Sequence, residues 1–188
     1  MRNSYKKMKK SLTLISLLLP ALLLVGALGW QPVAQAESAG GLTAQEKAFV
    51  KEAGGGNAAE VQLAQLALKN SQNSDVKDFA QMMINDHSQA NTDLGKIAEQ
   101  HKITPFPPEV PAKEKAFYDK LAKMTGADFD KAYVDHAVED HTKDAAAYKK
   151  AQGDVKDAML KQYVDKVTPI VEHHLEMAKA DQAKMSKG

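Results

Sequence analysis

The stretch DVKDFAQMMINDHSQANTDLGKI, residues 75–97, decides the architecture of this chain. Its apolar residues Val76, Ala80, Met83, Ala90, Leu94 and Ile97 recur in alternating steps of four and three. That spacing draws a single stripe along an α-helix, the kind that faces neighbouring helices in a bundle. One place in the series is polar: His87 stands where an apolar residue is due.

The same pattern recurs outward from this helix. Val134, Val138, Ala145 and Tyr148 form a second seam with His141 in its gap, and Leu160, Val164, Val167, Val171, Leu175 and Ala178 form a third with His174 beside it. Glu60 opens a fourth stripe through Leu63, Ala64 and Ala67. Polar side chains on such seams are buried, and each costs about 1–3 kcal/mol unless it finds a partner. These four residues are therefore the candidates for a functional site.

The remaining punctuation completes the layout. Thr43 and Glu46 form a capping box that starts a helix, and Gly54-Gly55-Gly56 reads as a break or hinge within it. The main helices are expected over about 57–69, 75–101, 128–152 and 154–184, with Ser74 capping the second and Gly153 separating the last two. Pro105, Pro107, Pro108 and Pro111 exclude regular helix there, and 112–124 suits a short one. Pro169 is expected to kink the last helix. Strand alternation is missing throughout. The expected fold is an all-α four-helix bundle of two hairpins, joined by a long proline-rich crossover that contains a short helix.

The first residues read as a leader. Arg2, Lys6, Lys7, Lys9 and Lys10 precede an apolar run from Leu12 to Trp30, and Ala34-Gln35-Ala36 follows as a cleavage site. Residues 1–36 are thus expected to be a signal peptide, 37–41 a flexible N-terminus and 42–188 the bundle, placing the mature protein in the periplasm or outside the cell. No transmembrane segment remains after such cleavage. The chain has no cysteine, so disulfides are excluded. Removing the leader leaves 20 basic against 24 acidic residues, a net of −4. Arg2 is the only arginine. A chain without arginine or clustered base is a poor fit to nucleic acid.

Rise per residue tests which seam residues meet. Measured from turns near Gln72 and Gln152, Glu60, His87 and His141 fall at roughly 18, 22 and 16 Å, whereas His174 falls at roughly 33 Å. The sequence thus predicts a central trio of Glu60, His87 and His141, with His174 paired separately to Asp130 or Tyr133. A carboxylate and two imidazoles suit one divalent transition ion, iron, manganese or zinc, with Asp86 and Asp140 as supporting groups or ligands. The same residues also suit a metal-free hydrogen-bond network that fixes helix register. His101, His136 and His173 lie off the seams and are assigned no role. No nucleophile stands beside a matching base, which points to a non-enzymatic protein.

Several short motifs occur in order: Phe49-Val50, Asn57-Ala-Ala-Glu60, Val76-Lys-x-Phe79-Ala80, Met83-Ile-Asn-Asp86-His87, Gly126-Ala-Asp-Phe129-Asp130, His141, and Pro169-x-Val171-x-x-His174-Leu175. Together they resemble the exported bacterial family called domain of unknown function 4142, described as ferritin-like and often labelled an outer membrane protein. The resemblance covers nearly all of Leu42 to Ala180. It implies a four-helix bundle with a long crossover and brings no activity; the expectation for the chain itself is an exported, non-enzymatic bundle with an envelope or stress role. Ferritin-type iron sites carry a Glu-x-x-His pair in each half. Here Ile84 and Val171 occupy the glutamate positions, so that ligand set is incomplete.

Overall fold

The computed structural model describes residues 41–187, so the leader and most of the 37–41 segment fall outside the described residues. Five helices follow: α1 (Ala44–Asn70), α2 (Ser74–Gln100), α3 (Ala112–Leu121), α4 (Gly126–Asp154) and α5 (Ala158–Met185). No strand occurs among the described residues. The helix packing is that of a bundle, with α1 against α2, α4 against α5, and α2 against α5. Helices α1 and α4 meet sparsely, and α3 touches both. Among the described residues no helix is long and apolar enough to cross a membrane.

The two hairpin turns lie at opposite ends. Glu46, in the first turn of α1, accepts from the backbone N–H of Lys156 at 2.8 Å and of Asp157 at 3.0 Å, tying the α4–α5 turn to the start of α1. At the other end Lys184 of α5 bonds Asp75 at the start of α2, 2.7 Å away. Two apolar cores match these ends. One joins Leu42, Leu94, Ile97, Val155 and Leu160; the other joins Ala67, Val76, Phe79, Phe129 and Ala178.

Three expectations about helix ends require correction. The triple glycine breaks nothing, because α1 runs through it unbroken. A Cβ at Gly54 would lie 2.7 Å from Phe106 Cε2, and one at Gly55 would lie 3.2 Å from the Glu109 carbonyl. Gly95 on α2 receives the other edge of the same Phe106 ring. These glycines form the bed of the crossover, and tertiary packing outweighs their weak helix propensity. Gly153 does not separate two helices either, since α4 continues to Asp154. Asn73, rather than Ser74, caps α2, its Oδ1 accepting from Asp75 N at 2.9 Å. The predicted capping box holds: the Thr43 backbone N–H donates to Glu46 at 2.8 Å and the Thr43 hydroxyl accepts from Glu46 N at 3.2 Å.

Candidate metal centre

A polar layer lies between the two cores. His87, His141 and His174 converge there from α2, α4 and α5. Their ring centroids form a nearly equilateral triangle of 5.6, 5.1 and 5.3 Å. One ring nitrogen of each lies within 4.8 Å of those of the other two. All three residues are buried, 4 % exposed for His87 and 0 % for the others.

Each ring has one engaged and one bare nitrogen. His141 Nδ1 donates to the Ala137 carbonyl at 2.9 Å, and His174 Nε2 donates to the Asp86 carboxylate at 2.9 Å. The His87 tautomer follows from a longer chain. The Gly54 carbonyl can only accept, so Asn91 turns its amide nitrogen to it, 3.2 Å away. The Asn91 oxygen must then accept from Asn57 Nδ2 at 3.1 Å. Asn57 Oδ1 is left facing His87 Nδ1 at 2.9 Å, which makes that nitrogen the donor. His87 Nε2, His141 Nε2 and His174 Nδ1 remain buried and without a hydrogen-bond partner.

The electrostatics keep these rings neutral near pH 7. Burial and the two neighbouring imidazoles push His87 well below the usual histidine range. Burial and His174 lower His141 to about 4. Burial lowers His174 as well, against the opposing pull of Asp86. Three neutral imidazoles with bare lone pairs are what a borderline transition ion coordinates.

The central trio expected from sequence is therefore corrected to His87, His141 and His174. His174 bonds neither Asp130 nor Tyr133, both of which are buried in the core near the α1–α2 turn. The α4–α5 turn lies near Lys156, not Gln152, so His141 stands 15 residues before it and His174 18 after. Their heights become roughly 22 and 27 Å. Helical side chains lean toward their own N-terminus, which brings the two antiparallel residues together.

Glu60 does not join the group. It stands three residues nearer the α1–α2 turn than Asn57, whose level His87 shares. Burial raises its carboxyl well above the ordinary range, and Asp144, Asp140 and Glu114 add to the effect. Asp86 does orient an imidazole, although it is His174 across the bundle rather than the adjacent His87.

Asp140 serves a site that the sequence reading missed. His136 is buried, stacks on Phe117 with centroids 3.7 Å apart, and places Nε2 2.9 Å from Glu114 and 3.1 Å from Asp140. The available signal was the i,i+4 pair of His136 and Asp140. Lys113 lies 3.5 Å from Glu114 and 3.4 Å from Asp140, so this cluster already carries its own cation. It acts as a latch between α3 and α4. His101, also assigned no role, sits 3.4 Å from Asp157 with little exposure.

The family model described as Domain of unknown function (DUF4142) matches residues 31–180. No curated protein and no solved structure gives a significant match.

Proposed function

The chain belongs to the DUF4142 family, and from that premise we propose that it is a metalloprotein holding one divalent transition ion. The ligands are His87 Nε2, His141 Nε2 and His174 Nδ1. One observation carries the reading: three buried nitrogens lack any partner while the second nitrogen of each ring is held by an acceptor. A register-fixing network would pair donors with acceptors. Here three ring-nitrogen acceptors converge with no protein donor facing them.

The residues fit such an ion. Zinc binds imidazole nitrogen at about 2.0–2.1 Å, and three nitrogens that lie within 4.8 Å of one another would close inward around it. Asn57, Ala137 and Asp86 hold the rings in the required tautomers, as supporting acceptors do around metal-bound histidines. An all-nitrogen set suits zinc or ferrous iron better than manganese, which prefers oxygen. The role proposed is binding; no catalytic step is assigned. We further propose that residues 1–36 are a leader and that the mature bundle, ferritin-like in architecture, works in the periplasm or outside the cell.

The test is elemental analysis of protein purified without an affinity tag from the exported fraction, together with its intact mass. The reading expects one transition ion per chain and a mature start at Glu37. Protein that neither carries nor takes up a stoichiometric ion would refute the metal centre. A mass that retains Trp30 would refute the processing.

A further inference from the structure

We propose that the cavity between α1 and α4 is the route by which the divalent cation enters the three-histidine site, and that Glu52 and Asp144 steer it inward. The inference rests on the metal-centre reading above. A cavity of about 100 Å³ lies on this sparsely packed face, with exposed Glu52, half-buried Asp144 and Gly56 and buried Tyr148 along it, and Asn57 and His87 at its inner wall. It therefore runs from an exposed carboxylate to a ligand whose Nε2 is bare and buried. No lysine lines it.

Two observations separate this face from the other approach to the site. The gap between α2 and α5 also reaches His87 and His174, but its volume is only about 40 Å³. The carboxylates on its rim, Asp93 and Asp86, are already engaged, the first by Lys166 at 2.7 Å and the second by His174 at 2.9 Å. On the α1 side, Gly56 lacks the explanation that holds for Gly54 and Gly55. A Cβ there would meet nothing within 4 Å. A glycine weakens a helix interior, and no packing contact requires this one. Its absent side chain leaves the cavity open. Carboxylates along a narrow approach raise the local concentration of cations and the rate at which they arrive.

Stopped-flow binding of Co²⁺ to the metal-free full-length protein tests the route. The double variant Glu52→Gln/Asp144→Asn should bind on the order of tenfold more slowly, with a weaker dependence on ionic strength. Gly56→Leu should fill the cavity and slow entry and release alike, leaving Kd within about twofold, since a route does not alter the end states. Lys166→Ala, on the other face, should leave both rates unchanged. Unaltered rates in the first two variants would overturn the proposal. So would a loss of affinity carried by faster release, which would make Asp144 a ligand. Both outcomes differ from failure of the metal centre itself, in which wild-type protein binds no stoichiometric Co²⁺ and His174→Ala behaves like wild type.

Discussion

Asn57 Oδ1 accepts from His87 Nδ1 at 2.9 Å, and this one bond fixes which nitrogen of the central histidine is free. The bond is held in turn by Asn91 and by the Gly54 carbonyl beneath the crossover. The chemistry of the centre thus depends on how the crossover seats on α1, although no crossover residue takes part in it.

Asn57→Leu should therefore keep the one-to-one metal stoichiometry but weaken affinity about 10–100-fold, the usual effect of losing a group that orients a ligand. Calorimetric titration with zinc measures both quantities. Unchanged affinity would show that His87 needs no orienting partner.

Glu60→Gln should leave metal binding intact. Burial, with Asp144, Asp140 and Glu114, already favours the neutral carboxyl, and the amide reproduces its shape. His174→Ala should abolish stoichiometric binding. The sequence heights alone imply the opposite ranking, so comparing the two variants separates the competing ligand sets.

The triple glycine yields opposed effects. Gly56→Ala should stabilise the protein by up to about 1 kcal/mol through helix propensity, as the new Cβ meets open space. Gly54→Ala should destabilise it by about 1–3 kcal/mol, because its Cβ falls 2.7 Å from Phe106 and 3.0 Å from Pro108. Thermal melting of the two variants decides; equal shifts would mean that the crossover moves aside freely.

Glu46 sets an acid limit on stability. Burial alone would raise its carboxyl, but the backbone N–H groups of Asp157, Lys156 and Thr43 outweigh burial and hold it at about 2 against an ordinary 4.5. A carboxyl depressed in the folded state stabilises the fold above its unfolded value, and the contribution fades as pH falls from 4.5 toward 2. Glu46→Gln should cost on the order of 2–3 kcal/mol at pH 7, and the gap to wild type should close near pH 2. Urea unfolding midpoints measured across that range test it; a gap independent of pH would assign the effect to packing.

The His136 latch should prove structural. His136→Leu should loosen α3, seen as faster hydrogen exchange over Ala112–Leu121, with metal stoichiometry unaffected. Loss of metal in this variant would move the centre to the α3–α4 cluster.

The bundle was legible because Val76 to Ile97 repeats with a helical period and the other seams match it. The burial of His87, His141 and His174 was legible for the same reason. Their convergence was not, because it depended on the position of one turn. Gly153 looked like a stop, yet α4 ends at Asp154 and turns over Val155–Asp157. A displacement of four residues on both arms of a hairpin changes the relative height of two side chains by roughly 12 Å. Asn57 stood at the level of His87 all along, but amides are common in helices and nothing in its spacing marks it as a partner. The triple glycine misled for another reason: its cause lies in Phe106, some fifty residues away.

X-ray absorption at the zinc edge, on protein loaded with one equivalent of zinc, tests the central claim most directly. It reads both the atoms around the ion and the number of imidazole rings. A centre of His87, His141 and His174 predicts three imidazoles at about 2.0–2.1 Å. A shell dominated by carboxylate oxygen with a single imidazole would contradict it and would place the ion at Glu114, His136 and Asp140 instead.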